Sequence, residues 1–262
     1  MGHFRQLFDP TTSAYTYLLA DLEAREALVI DGTARQAATM LAWLDELDLV
    51  LRYVTLTHAH ASERDETADL RRRSGAAVAA AADAGLPRVD VGVRHGDTLV
   101  FGNQVVHVLG TPGHTPGCLS FLWQDRVFTG DALLIGTCGR TDLPGGDAGT
   151  LYDSVVRRLF LLPGETLVYP GHDHRGRTVS TIAEERQHNP RFAGRSRDEF
   201  ITFMATGAAT GPAADSAELA ALHAISGGES PRSQTVRRVD SSMNCTTDWA
   251  SDQVSTDSTR RS

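Results

Sequence analysis

The sequence predicts an α+β fold in which two β-sheets lie face to face between outer layers of helices, a four-layer αββα sandwich. Three observations lead to this prediction. Runs typical of strands and helices follow one another in the order strands, helices, strands, helices. His or Asp residues stand in loops at the ends of the strands, as expected at one edge of a sheet core. A chain of 262 residues with 41% hydrophobic residues is also long enough for one substantial core.

The first half of the chain supplies a hairpin, two helices and two further strands. Two β-rich runs separated by the polar segment DLEARE predict the hairpin. An Ala- and Leu-rich amphipathic stretch predicts the first helix, and an apolar strand then leads directly into the loop HAHASERDE. The predicted elements are the strands 15–20 and 27–31, the helix 34–47, the strand 50–57, the helix 63–74 and the strand 76–80.

The second half begins with sheet and ends with helices. Short strands broken by turns are predicted between 89 and 127, and the loop TPGHTPG interrupts them. The loop after Asp131 leads to a helix at 150–161, the strand TLVYP and the loop GHDHRG. Two last helices are predicted at 179–188 and 197–206.

The composition divides the chain into one folded domain and a C-terminal extension. The alternating pattern covers residues 1–206. Ala, Gly, Ser and Thr dominate residues 207–229, where we expect weak structure and at most a short helix. Large apolar residues almost vanish in residues 230–262, which we expect to be disordered because they cannot bury enough surface to offset their ordering entropy.

Charge, hydropathy and cysteine content narrow the classes of function. The net charge of -8 argues against a nucleic-acid partner, since phosphate binding needs a clustered basic surface. The sequence has no secretion-signal pattern at its start, nor an apolar run near the roughly 20 residues that cross a bilayer. We therefore expect a cytoplasmic protein with no membrane partner. Cys118, Cys138 and Cys245 form no paired framework, so no disulfides are expected.

Four histidines and one aspartate make up the candidate metal site. Any one of them alone is better explained as a structural or surface residue. As a set they differ, because each of the five residues lies in a loop that follows a strand or lies between strands. Ligands from separate loops at one edge of a sheet core can converge on a metal ion. The set consists of His58, His60, His114, Asp131 and His172.

The motifs around these residues resemble the metallo-β-lactamase superfamily. They are T-H-A-H-A at 57–61, T-P-G-H-T-P-G at 111–117, F-T-G-D-A-L-L at 128–134 and Y-P-G-H-D at 169–173. Two further runs, G-T-C-G-R-T-D at 136–142 and E-E-R-Q-H-N-P-R at 184–191, are similar more narrowly to the persulfide dioxygenases, also called sulfur dioxygenases. The resemblance spans residues 4–204 and implies the metallo-β-lactamase fold.

The resemblance also implies a mononuclear iron site and a substrate. One Fe(II) per subunit would be held by His58, His114 and Asp131, a ligand set that suits non-haem iron oxygenases. The enzyme would oxidise glutathione persulfide, or a related low-molecular-weight persulfide, with O₂ to sulfite and glutathione. Arg140 would bind a glutathione carboxylate. His60, His172 and Tyr169 are expected around the ligands, and a homodimer is one option for the assembly.

Two positions depart from the superfamily pattern H-x-H-x-D-H. Ser62 and Glu63 stand where the pattern has Asp and His, so the second metal site of the dinuclear members is degenerate here. This loss favours the mono-iron dioxygenase, which keeps all three ligands, over a dinuclear zinc hydroxyacylglutathione hydrolase of the glyoxalase II kind. A degenerate, non-catalytic scaffold of the same fold is the other alternative.

Overall fold

The N-terminal sheet has six strands and two helices on its outer face. The computed structural model describes residues 2–59, 66–82, 86 and 88–206. In spatial order the strands are β1 (Gly2–Asp9), β2 (Ala14–Asp21), β3 (Glu26–Ile30), β4 (Val50–Thr55), β5 (Ala77–Ala81) and β6 (Val91–Val93). Strands β1 to β3 are antiparallel, whereas β3 to β6 run parallel. The connections between parallel neighbours contain helices α1 (Ala37–Glu46) and α2 (Glu66–Ser74).

The C-terminal sheet also has six strands. Their spatial order is β12 (Ser180–Thr181), β11 (Leu167–Pro170), β10 (Arg126–Gly130), β9 (Leu119–Trp123), β8 (Gln104–Gly110) and β7 (Thr98–Phe101). Only β10 and β11 are parallel, and the helix α3 (Ala148–Ser154), with a π-helical turn at Val155–Leu159, connects them. Helices α4 (Ile182–His188) and α5 (Arg197–Ala205) follow.

Three apolar clusters separate four layers. The largest lies between the two sheets and includes Tyr17, Phe121 and Trp123. A second cluster packs α1 and α2 against the N-terminal sheet, and a third packs α3, α4 and α5 against the C-terminal sheet. The predicted four-layer αββα sandwich is therefore confirmed.

The structure refines the predicted elements in three places. The sequence analysis missed β1, which pairs with β2 along its whole length. It also missed the two-residue strand β12, since it assigned that segment to the helix now seen as α4. The helix predicted at 150–161 begins at Ala148 and changes at Val155 to a π-helical turn, closed by the hydrogen bond from Phe160 N to Val155 O.

The predictions for residues 207–229 and 230–262 fall outside the described residues. Within the described part of the chain, no helix combines the length and the apolar character needed to span a membrane.

The hydroxyl of Tyr17 joins the two sheets near the end that carries the polar loops. It lies in the core of the sandwich and donates a hydrogen bond of 2.5 Å to the carbonyl oxygen of Pro170, the last residue of β11. We expect Tyr17→Phe to lower the free energy of unfolding by about 1 to 3 kcal/mol, because a buried carbonyl loses its donor. Chemical denaturation measures the difference.

The half-buried Tyr53 on β4 provides the matched control for this experiment. Tyr53→Phe should change the free energy of unfolding by no more than about 0.5 kcal/mol. Equal losses in the two variants would show that the bond to Pro170 does not hold the sheets together.

Candidate metal centre

The candidate site lies where strands of both sheets end. His58 follows β4 of the N-terminal sheet, whereas His114, Asp131 and His172 follow β8, β10 and β11 of the C-terminal sheet. The two sheets touch at this edge, since the backbone N–H of Leu119 donates to the carbonyl oxygen of the residue before His58 at 2.6 Å. Residues far apart in the chain are thus brought together.

Three of the predicted residues form one compact group of donor atoms. Nε2 of His58 lies 4.0 Å from Oδ2 of Asp131, and Nε2 of His114 lies 3.8 Å from the same oxygen. The donor atoms of all three residues lie within 4.8 Å of one another. Both imidazoles are buried, and their rings meet edge to face with centroids 5.0 Å apart. Among the residues that the structure describes, this is the only such group of three.

A hydroxyl and a carboxylate orient His58. The hydroxyl of Thr57 donates to Oδ2 of Asp31 at 2.8 Å, so its oxygen accepts from Nδ1 of His58, also at 2.8 Å. The backbone N–H of Thr57 donates to the other carboxylate oxygen of Asp31 at 2.7 Å. This chain of bonds places the proton of the imidazole on Nδ1 and turns the Nε2 lone pair toward Asp131.

A backbone carbonyl orients His114. Nδ1 of His114 donates to the carbonyl oxygen of Arg140 at 2.7 Å, which again directs the Nε2 lone pair toward Asp131. The loop that carries His114 is fixed by α3, because a Cβ on Gly113 would lie 2.3 Å from the Cα of Leu151. The hydroxyl of Ser154 also donates to a carbonyl of this loop, that of Pro112, at 2.6 Å.

The two carboxylate oxygens of Asp131 have different partners. While Oδ2 faces the two imidazoles, Oδ1 accepts a hydrogen bond of 2.8 Å from Nδ1 of His172. Burial raises the pKa of Asp131, but the charge and hydrogen bond of His172 and, when their rings are protonated, the charges of His58 and His114 outweigh this effect and hold the pKa well below its usual value. The carboxylate is therefore ionised, as a metal ligand must be.

The residues present fit one divalent metal ion. Bonds of about 2.0 to 2.2 Å from nitrogen and oxygen donors place neighbouring donors of one tetrahedral or octahedral ion about 3 to 3.5 Å apart. The distances of 4.0 and 3.8 Å from Oδ2 of Asp131 lie within about 1 Å of this range, so small movements of the side chains would bring these donors onto one ion. Two neutral imidazoles and one carboxylate leave coordination positions open for exogenous ligands, the arrangement found in non-haem iron oxygenases and also in catalytic zinc sites.

Tyr169, which the sequence analysis expected around the ligands, lies on β11. Its ring packs in the aromatic core between the sheets, with centroids 4.9 Å from Phe4 and 5.5 Å from Phe128. Burial raises the pKa of its hydroxyl, and the next charges to act on it are those of Arg126 and Asp125, at the end of β10 opposite to Asp131. The side chain on β11 thus packs inside the sandwich, and its place around the metal ligands stays a prediction.

Arg140 contributes to the site through its backbone, while its side chain pairs with a neighbour. Its Nε and Nη2 donate to the two carboxylate oxygens of Asp142 at 2.6 and 2.7 Å. Its role in binding a substrate carboxylate stays a prediction. His60, Ser62 and Glu63 lie outside the described residues, so their predicted roles are also untested. Cys118 and Cys138 are free thiols, as expected.

The sequence analysis overlooked Asp31 and Gly139. Asp31 directly follows β3 and has a φ of 51°, a left-handed conformation that Asp tolerates better than most residues. Its position at the carboxyl end of the strand beside β4 is a signal that could have drawn attention to it. Gly139 donates its N–H to the carbonyl oxygen of Asp131 at 2.7 Å, and a Cβ there would lie 3.0 Å from Nδ1 of His114.

Comparison with known proteins identifies relatives over most of the folded domain. The model of the metallo-beta-lactamase superfamily matches residues 64–172. The mitochondrial persulfide dioxygenase ETHE1 of Mus musculus is 44% identical over 202 residues, which cover 76% of this chain and 79% of that protein. A hydroxyacylglutathione hydrolase of Cereibacter sphaeroides is 37% identical over 164 residues, which cover 61% of this chain and 62% of that protein.

A solved structure agrees with these sequence relationships. The crystal structure of ETHE1 from Myxococcus xanthus superimposes with a TM-score of 0.78 and 49% sequence identity, and the alignment covers 85% of this chain and 98% of that chain.

Gly139 offers a test of how the candidate ligands are held. A Cβ at this position would lie 2.4 Å from the carbonyl oxygen of Asp131, a backbone atom that cannot move without the ligand. We expect Gly139→Ala to weaken Co(II) binding by about 10- to 100-fold, since it disturbs the groups that orient two ligands. Competition with a chromophoric chelator measures the affinity.

Gly164→Ala is the control, because its Cβ would lie 3.3 Å from the nearest atom, the Cβ of Ala183, at some distance in the chain from any candidate ligand. It should bind Co(II) like the unaltered protein. Unchanged affinity in Gly139→Ala would mean that this glycine does not control the position of the ligands.

Proposed function

Because this chain belongs to the persulfide dioxygenase family of the metallo-β-lactamase superfamily, we propose that it is an iron-dependent enzyme that oxidises glutathione persulfide with O₂ to sulfite and glutathione. The observation that carries the proposal is the convergence of two imidazole Nε2 atoms and one carboxylate oxygen from three separate loops. This is the ligand set that a mononuclear non-haem iron oxygenase requires.

His58, His114 and Asp131 would hold one Fe(II) per subunit. The bound iron would supply the redox chemistry that lets O₂ react with sulfur. Hydrogen bonds within the protein orient the donor atoms before the ion binds. The hydrogen bonds from Nδ1 of each histidine leave Nε2 as the donor atom, and the hydrogen bond from His172 leaves Oδ2 of Asp131 as the third.

The proposed reaction breaks the sulfur–sulfur bond of the persulfide. The outer sulfur is oxidised to the level of sulfite, and its electrons reduce O₂ and the inner sulfur. Both oxygen atoms of O₂ enter sulfite, and water supplies its third oxygen. The inner sulfur leaves as the thiol of glutathione. Arg140 would bind a carboxylate of the peptide through its guanidinium, which now pairs with the exposed carboxylate of Asp142 and would have to exchange it for the substrate.

One relative favours hydrolysis of a thioester at a dinuclear zinc site, but two residues of this chain speak against it. Ser62 and Glu63 replace the Asp and His that the second zinc needs. The hydrolase relative is also matched over a smaller part of both chains than the mouse dioxygenase.

Several features of the proposed enzyme stay predictions. They are its cytoplasmic location, whereas the mouse relative is named as mitochondrial, its homodimeric assembly, and the absence of nucleic-acid and membrane partners.

The direct test is oxygen consumption by the Fe(II)-loaded protein on addition of glutathione persulfide. We expect uptake of O₂ with one sulfite formed per O₂ consumed. His114→Ala should abolish both, because it removes one of three iron ligands. His107→Ala is the matched control, since that histidine is exposed on β8 and the variant should consume O₂ at the normal rate.

Three results would contradict the proposal in different ways. If protein shown to contain one iron consumes no O₂, the non-catalytic scaffold becomes the better account. Hydrolysis of S-lactoylglutathione by a form with two zinc ions would favour the hydrolase. Equal loss of activity in His107→Ala and His114→Ala would mean that the iron ligands have been wrongly assigned.

A further inference from the structure

The loop that follows Asp131 contains a tight turn close to the metal centre. Leu134 and Thr137 exchange two backbone hydrogen bonds of 3.1 and 3.2 Å, and Gly136 between them has a φ of 65°. Gly139 and Arg140 follow shortly after this turn. We call residues 134–140 the orienting loop, because its last two residues make backbone contacts with the candidate ligands.

Two buried polar side chains of α4 and its C-terminal cap hold this turn. The carboxylate of Glu185 accepts from the backbone N–H of Gly136 at 2.9 Å and from Nδ2 of Asn189 at 2.8 Å. Nδ2 of Asn189 donates also to the carbonyl oxygen of Thr137 at 2.9 Å. Its Oδ1 accepts from the backbone N–H of Arg191 at 2.9 Å, which fixes the orientation of the amide.

The side chains of Glu185 and Asn189 are buried although both are polar. Glu185 is 2% exposed and Asn189 is 1% exposed. Within the described part of the chain Glu185 has no ion pair with a basic side chain, so its hydrogen bonds alone compensate for the loss of water. Burying a carboxylate in this way is costly, and an apolar residue would pack α4 against the sheet at lower cost.

We propose that Glu185 and Asn189 are positioning residues of the metal centre, which act through the backbone of the orienting loop. The turn that they hold determines where Gly139 and Arg140 lie. Gly139 donates to the carbonyl of Asp131 at 2.7 Å, and the carbonyl of Arg140 accepts from the imidazole of His114 at 2.7 Å. Two of the three ligands therefore depend on the hydrogen bonds that Glu185 and Asn189 make to this loop.

This inference rests on one part of the proposed function, which is that the site binds a metal ion. It assigns a role to the run at 184–191, which resembles the dioxygenases but contains no metal ligand. Partners that orient metal ligands contribute about 10- to 100-fold to metal affinity. A residue that merely packs the core would lower the stability of the apoprotein and leave the geometry of the bound metal unchanged.

The test measures Co(II) affinity and the visible absorption spectrum of the Co(II)-loaded protein, which reports the ligand geometry. We expect Glu185→Ala to bind Co(II) about 10- to 100-fold more weakly and to show a changed spectrum. Glu185→Gln should recover most of the affinity, because its amide oxygen can accept from Gly136. Glu184→Ala, an exposed glutamate on the same helix, is the matched control and should behave like the unaltered protein.

Glu185→Asp keeps the test decisive should the alanine variant fail to fold. It retains the charge and leaves a smaller void, but its carboxylate is one methylene too short to reach Gly136, so it should also lose affinity and change the spectrum. Normal affinity and an unchanged spectrum in a folded Glu185→Ala or Glu185→Asp variant would overturn the positioning role alone. Failure of the unaltered protein to bind any metal would overturn the proposed function as well.

Discussion

The site depends on one constraint, which is that His58 and His114 must turn the same ring nitrogen toward the same carboxylate oxygen. A neutral imidazole has one lone pair, so each Nδ1 proton needs an acceptor of its own. A threonine hydroxyl backed by Asp31 provides one acceptor, and the carbonyl of Arg140 provides the other. Gly113, Gly139, the turn at residues 134–137 and the hydrogen bond between the sheets all help to bring these two acceptors within hydrogen-bond distance of the histidines.

The fold and the three candidate ligands could be predicted from the sequence because both leave local patterns. Each strand that ends at the site is a short apolar run, and each ligand follows such a run within a few residues. The carboxyl ends of strands collect at one edge of a sheet, so position in the chain indicates position in space. For His58, the apolar run of β4 and the position of the histidine directly after it were sufficient for the prediction.

The remaining features depend on contacts between distant segments. Strand β1 mixes polar and aromatic residues, and its pairing with β2 gives it a strand conformation that its own pattern does not indicate. Tyr169 stands only a few residues from His172, yet the alternation of β11 turns its ring into the core. The hydroxyl of Thr57, which Asp31 holds, and the carbonyl of Arg140 each accept from Nδ1 of a histidine, and no spacing motif reveals these contacts.

The candidate ligands belong to different sheets, His58 to the N-terminal one and the other two to the C-terminal one. An ion bound by all three would act as a cross-link between the two halves of the sandwich. It would stabilise their association by a free energy that grows with the logarithm of the ratio of its concentration to the dissociation constant. The site also cannot exist until the sheets have packed, so a newly synthesised chain would acquire its metal only as the last step of folding.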